Sequence, residues 1–308
     1  MNKKVFRTLD EQIDILKSKG LAINNEEDVK DILLRENYFF INWYRFLFYG
    51  NNRKFINGTK FSELYSAFLF DRNIRNVMFK NLLVVENNIK SILSYQLSKK
   101  YGYTEKEYLN KANFNQDFKD SRRVEDVLNK MKRQIRVNVD KHTATVHYVS
   151  KYNYIPLWIL VKVLSFGLIN ELFGILKPED QQEIADYYKV SPDTLKTYLQ
   201  LLANYRNLCA HEDIVFDHKT QSVIEDTKYH ELLNIEKDDE GEYKKGKNDL
   251  FSVVIIFKQL LQAGRFNDFL REMNRCIETF EKNVEIIPIE KLYDKMGFPN
   301  NYNDILEL

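Results

Sequence analysis

Residues that interrupt helices are scarce in this chain of 308 residues, which has only 10 Gly and 5 Pro. That scarcity argues against a turn-rich sheet protein and in favour of long helices. There are two cysteines, Cys209 and Cys276, far apart in sequence. They do not amount to a disulfide framework, and the expected state is two reduced thiols. Neither sign of charge dominates: 46 Lys and Arg stand against 45 Asp and Glu, a net charge of +1. The molecule as a whole is therefore no magnet for polyanions, and any affinity for nucleic acid must come from a local patch. Long apolar runs are missing too. The most membrane-like stretch, 155–176, is interrupted by Lys162, Asn170 and Glu171, and reads as a buried helix of a soluble protein. The first residues carry Lys3, Lys4 and Arg7 with no apolar segment behind them, so no secretory signal and a cytoplasmic location are expected. No phosphate-cradling glycine loop and no Ser or Cys nucleophile arrangement is present.

What the chain does have is apolar and aromatic bulk, with 44% hydrophobic residues, 19 Tyr and 21 Phe. That suffices for a sizeable core in one large domain or two small ones. The periodicity predicts an all-α protein, with helices over 8–20, 26–49, 62–101, 121–136, 156–176, 178–188, 191–211 and 249–283. Ser191-Pro192-Asp193 is a strong helix start: a serine cap, a proline in the first helical position and an acid in the first turn. The aromatics of 26–49 (Tyr38, Phe39, Phe40, Trp43, Tyr44, Phe46, Phe48, Tyr49) read as a helix packed on both sides in preference to a base-stacking platform. The segment 217–248 reads as irregular, without a core-forming pattern, and 286–308 as a tail. The expected organisation is an N-terminal helical extension (1–60), a helical bundle domain (61–285) and the C-terminal tail (286–308). His142 and His147 fall in a segment read as non-helical, and no cysteine or carboxylate cluster completes metal-ligand spacing around them. Tyr148, Tyr152 and Tyr154 beside Lys151 read either as rings that stack bases or as packing ahead of the Pro156 helix, and packing is the expectation.

One hexapeptide carries chemistry: Arg206-Asn207-Leu208-Cys209-Ala210-His211. On a wheel of about 100° per residue, Leu195, Tyr198, Leu199, Leu202 and Tyr205 fill one face. Asn207 and His211, four apart, share the other. Arg206 continues the row Leu195, Leu199, Leu202 and so falls at the shoulder of the apolar face, where an unpaired cation is costly. Glu86 sits inside the apolar row Leu82, Ile89, Leu93 of the 62–101 helix. Glu86 and Arg206 are therefore expected to pair, either as a purely structural ion pair or as a means of positioning Arg206. Arginine and histidine together can cleave RNA without a metal, one cation meeting phosphorane charge and one imidazole moving protons. Arg122, Arg123, Lys130, Lys132, Arg133 and Arg136 form a basic stretch that reads equally well as a phosphate track and as a solvated helix face.

Arg206-Asn207…His211 resembles the R-N-x-x-x-H motif of HEPN ribonucleases, and the surrounding chain resembles the Abi-like abortive-infection proteins of bacteria. The segments that match in order are Leu9-Asp10-Glu11-Gln12, Arg35-Glu36-Asn37-Tyr38, Tyr44-Arg45, Phe70-Asp71-Arg72-Asn73-Ile74-Arg75, Val85-Glu86, Pro156-Leu157-Trp158, Ser165-Phe166-Gly167, Arg206 to His211 and Met296-Gly297-Phe298-Pro299. The chain departs from the family at Glu212-Asp213, where relatives often carry a histidine or a basic residue. The resemblance implies an all-α, HEPN-like bundle that forms a homodimer, and metal-independent cleavage of RNA without a small-molecule cofactor. It implies Arg206, Asn207 and His211 as the catalytic set, which Glu86 joins on the helix geometry as the residue that orients Arg206, a role in phage defence or toxin-like growth arrest, and RNA as substrate and as a regulatory partner. The alternative is a non-catalytic module that binds a small RNA through the same cleft.

Overall fold

The computed structural model describes residues 5–50, 52–117 and 121–308, so Lys3, Lys4 and Lys119 lie outside the described residues. The fold is all-α, 67% helical, and the described residues form isolated β-bridges but no sheet. In chain order the helices are α1 (Leu9–Ser18), α2 (Glu26–Glu36), α3 (Tyr38–Trp43), α4 (Phe61–Tyr101), α5 (Glu105–Tyr108), α6 (Ser121–Asn138), α7 (Thr143–Tyr152) and α8 (Leu157–Val163). They continue with α9 (Phe166–Gly174), α10 (Pro178–Asp186), α11 (Pro192–Ala210), α12 (Lys228–Leu232), α13 (Leu250–Leu260), α14 (Ala263–Asn283) and α15 (Ile289–Met296).

Helix α4 is the axis of the molecule. Its 41 residues make a rod about 60 Å long, against which α3, α8, α10, α11 and α14 pack. Apolar residues on several of its faces are buried, among them Leu64, Phe68, Ile74, Met78, Leu82, Ile89 and Leu93. The same helix buries charge, and does so in pairs one turn apart: Asp71 with Arg75 and Glu86 with Lys90. Spacing of four places both members on one face, so each charge carries its counter-ion into the core on the same helix.

Three of the expected long helices are divided. The 26–49 helix breaks at Asn37, which takes a left-handed φ of 68° and accepts the Phe39 amide with its own side chain. Asparagine is among the few residues that tolerate this backbone, and its side chain replaces the lost helical partner. The break turns α3 so that Phe39, Phe40 and Trp43 stand 58%, 57% and 45% exposed, and these rings are not packed on both sides. The 156–176 helix breaks at Leu164–Ser165, where the Ser165 hydroxyl accepts the Leu168 amide and starts α9. The 249–283 helix breaks at Leu261–Gln262, giving α13 and α14.

Two segments expected to lack regular packing are part of the core. Within 217–248, Ile224, Tyr229, His230, Leu233 and Ile235 are buried, and His230 stacks on Tyr243 while its ring nitrogens meet Thr227 and the Gly246 carbonyl. Within 286–308, Leu292, Met296, Phe298, Tyr302 and Ile305 are buried, and Glu63 of α4 accepts the amides of Glu285 and Ile286. One contiguous apolar core contains residues of all three sequence segments, from Ile13 to Ile305. Residues 143–152 are helical rather than irregular, so His147 lies on α7, with His142 at its N-cap.

Candidate functional site

Helix α11 begins as its sequence demands. The Ser191 hydroxyl accepts the Thr194 amide, and Pro192 occupies the first turn, where its missing N–H is not needed. Leu195, Leu199, Leu202 and Tyr205 are buried. Burial of that row fixes the rotation of the helix, and with it the directions of Arg206 and His211. The helix ends in two bonds, the His211 amide to the Asn207 carbonyl at 3.0 Å and the Asp213 amide to the Leu208 carbonyl at 3.0 Å. Glu212, between those donors, has a φ of 58°. This is a Schellman closure, in which that position ordinarily belongs to glycine.

The turn after His211 is held from α4. Asp71, fully buried, accepts the amides of Val215 (3.1 Å) and Phe216 (3.0 Å), the hydroxyl of Tyr44 (2.9 Å) and a guanidinium N–H of Arg75 (2.9 Å). Arg75 also donates to the Asp213 carbonyl at 3.0 Å. Burial raises the Asp71 carboxyl above the ordinary aspartate range, against the pull of Arg75 and the two amides. Every oxygen–donor distance here is short, so the geometry around His211 rests on a satisfied buried network.

His211 opens onto a cleft of about 780 Å³ whose wall includes Arg72, Arg75, Glu212, Asp213 and the rings of Phe39, Phe40 and Trp43. Arg72 lies over the Phe68 ring at 4.6 Å and makes a two-pronged contact with Glu36, at 2.9 and 2.6 Å. Among the described residues the His211 and Asn207 side chains have no hydrogen-bond or ion-pair partner, and both are exposed. Cys209, inside the motif, is buried, and burial pushes its thiol up to about 12, so it offers no thiolate at neutral pH.

Arg206 meets Glu86, with Nε 3.4 Å from Oε2. The closer partner of Glu86 is Lys90, whose Nζ lies 2.7 Å from Oε1. Glu86 and Lys90 are buried, while Arg206 keeps 28% of its side chain exposed and sits 6.0 Å from the Phe79 ring centre. Arg206 and Asn207 do not line the cleft that His211 lines. Within one chain the structure therefore groups His211 with Arg72 and Arg75, and Arg206 with Glu86 and Lys90.

The six basic residues of α6 line neither place. Lys130 is tied to Asp126 (2.9 Å) and Glu171 (2.7 Å). Arg123 lies against Gly174 at the end of α9, where an added Cβ would come within 2.5 Å of its Nη2. Arg122, Lys132, Arg133 and Arg136 are exposed on the outer face, opposite the buried Val124, Val127, Leu128 and Met131.

A family model described as Abi-like protein matches residues 31–217, more than half of the chain. The chain belongs to the Abi-like family. No curated protein and no solved structure matches it. The matched span contains every residue that lines the His211 cleft, from Arg35 to Ile214, together with Glu86, Lys90 and Arg206. The α12–α15 region lies outside it. Membership in the Abi-like family points to a function of the abortive-infection type. Among the described residues no helix is long and apolar enough to cross a membrane.

Sequence reasoning assigned no role to Asp71, Arg72, Arg75 and Lys90. The i,i+4 spacing of Asp71 with Arg75 and of Glu86 with Lys90, inside apolar rows of one helix, was a usable signal for the buried pairs. Nothing local marked Arg72 and Arg75 as neighbours of a histidine more than 130 positions away.

Proposed function

We propose that this Abi-like protein is a metal-independent endoribonuclease of a bacterial anti-phage or toxin-like system, with a HEPN-type site at Arg206, Asn207 and His211. The observation that carries the reading is His211 itself. It is exposed at the end of α11, its ring is unclaimed by any described residue, and it shares its cleft with the guanidinium groups of Arg72 and Arg75. In the proposed reaction a ribose 2′ oxygen attacks the adjacent phosphorus and the bond to the 5′ oxygen breaks. The products are a 2′,3′-cyclic phosphate and a 5′-hydroxyl. His211 takes the 2′ proton or delivers one to the leaving oxygen, roles that suit a histidine near neutral pH. Arg206, steadied by Glu86, meets charge on the non-bridging oxygens with its fork of donors. One chain offers one such histidine, and two proton transfers call for two. Pairing of two copies about a two-fold axis supplies the second, and brings an Arg206 from each copy to a shared cleft.

The test is cleavage of a labelled RNA pool in EDTA by wild type and by His211→Ala. Cyclic-phosphate ends from wild type alone are expected, and equal cleavage by both proteins would discard His211 as the centre. A second reading, a non-catalytic RNA-binding module, is favoured by Glu212 and Asp213, which put two carboxylates on the wall where phosphate would lie. Salt-sensitive RNA binding without cyclic-phosphate products in either protein would select it.

A further inference from the structure

A second concentration of aromatic rings lies outside the His211 cleft. His147, Tyr148 and Tyr152 of α7 connect through Tyr154 to Tyr103 and on to Trp158 at the start of α8. Neighbouring ring centres along this path are 5.7, 5.5, 6.2, 5.6 and 6.1 Å apart. The path is at the surface: Tyr103, Tyr152 and Trp158 are 47%, 44% and 41% exposed, and of the ten residues of α7 only Thr145 is buried. So much aromatic surface is not explained by packing within the chain.

The charge of the same segment is lopsided. Between 130 and 154 stand Lys130, Lys132, Arg133, Arg136, Lys141 and Lys151 against the single acid Asp140, in a chain whose overall charge is only +1. Lys130 is spent on Asp126 and Glu171, but the other five make no ion pair among the described residues. Lys151 stands over the Tyr152 ring, with Nζ 5.3 Å from its centre.

We propose that α6, α7 and the start of α8 form a binding site for single-stranded nucleic acid, separate from the His211 cleft. Exposed rings in a row accept the faces of unpaired bases, while flanking cations neutralise the phosphates between them. A duplex hides its base faces and gains only the electrostatic part. An apolar protein partner would fit the rings, but not Lys151 over Tyr152 or the excess of unpaired cations that the same stretch of chain carries. Neither the rings nor the cations take part in the cleavage chemistry, so the site stands whether or not His211 is catalytic.

The chain has two tryptophans, which gives a direct reporter. Trp43→Phe leaves Trp158 alone, and His211→Ala in the same protein prevents loss of the probe by cleavage. Trp158 fluorescence is followed as short oligouridine, oligothymidine or an RNA duplex is added. Quenching by the single strands and not by the duplex is expected, with affinity falling about tenfold or more on Tyr152→Ala. The triple reversal Arg133→Glu, Arg136→Glu, Lys151→Glu should weaken binding further and flatten its salt dependence. Equal affinity for uridine and thymidine oligomers would assign recognition to stacking and phosphate, and a preference for RNA would add the 2′-hydroxyl. Equal quenching by duplex, or single-strand affinity untouched by Tyr152→Ala, overturns the proposal. If Tyr152→Ala instead altered sedimentation of the free protein while oligonucleotide affinity held, the surface would be a protein interface.

Discussion

The carboxylate of Asp71 accepts the backbone N–H of Phe216 at 3.0 Å, across 145 positions of sequence. With the Val215 amide and the Arg75–Asp213 contact, it fixes the turn that follows His211 to the N-terminal half of α4. Removing that carboxylate leaves two buried amides, the Tyr44 hydroxyl and a buried guanidinium without their acceptor. Asp71→Ala is expected to lose about 3–5 kcal/mol of unfolding free energy by urea titration. Tyr44→Phe deletes one donor and should lose only about 1 kcal/mol. Similar losses from both would mean that the amides of the turn find other partners.

Glu86 serves two cations of unequal burial. Glu86→Ala strands the buried Lys90 and should lose about 3–5 kcal/mol. Arg206→Ala should lose under about 1 kcal/mol, because its contact is 3.4 Å long and its side chain partly solvated. Double-mutant cycles are therefore expected to give a larger coupling for Glu86 with Lys90 than for Glu86 with Arg206. The reverse order would make Arg206 the principal partner.

Glu212 occupies the left-handed position that closes α11, and it also faces the cleft. Glu212→Gly relieves the backbone cost and removes an acid from the wall. The thermal midpoint should rise with a gain of up to about 1 kcal/mol, and RNA affinity should rise with it. A fall in stability would show that the Glu212 side chain repays its backbone.

Asp249 caps α13, accepting the amides of Gly246 and Ser252, and lies against Gly297, where an added Cβ would come within 2.0 Å of the Asp249 carboxyl carbon. Burial raises its carboxyl from 3.8 to about 6. Between those values the folded chain holds a proton that the unfolded chain has released. This residue therefore adds stability as pH falls through that window and withdraws it as pH rises. The full span corresponds to about 3 kcal/mol. Asp249→Asn should flatten the dependence of the urea midpoint on pH between about 4 and 6, and parallel curves for the two proteins would reject the assignment. Gly297→Ala should destabilise at every pH, since its φ of 72° and the carboxyl both oppose a side chain.

Much of the fold could be read where a segment's own residues decide its state. The 62–101 helix, the Ser191-Pro192 start and the 121–136 helix were all legible from periodicity and caps. Asn37 was not, because it lies inside an aromatic run that continues the helical pattern on both sides. The burial of Ile224, Tyr229 and Ile235 was hidden because each stands among polar neighbours and is covered by residues distant in sequence. At the candidate site, the meeting of Glu86 and Arg206 followed from two apolar rows, each interrupted by one charge. Lys90 stands one turn from Glu86, a spacing that marks it as a partner, whereas the Asp71 network depends on a turn whose path no local pattern specifies.

The anchors for the turn after His211 and for Arg206 are carried by the same unbroken rod. Asp71 and Glu86 are fifteen positions apart on α4, about 22 Å along its axis. Insertion of one residue between them would rotate one anchor by about 100° relative to the other and advance it by about 1.5 Å. Either the Phe216 amide or Arg206 would then lose its carboxylate. Substitutions at the exposed positions of this stretch, such as Asn73, Asn76 and Lys80, can be absorbed singly, but a change of length between the two anchors cannot.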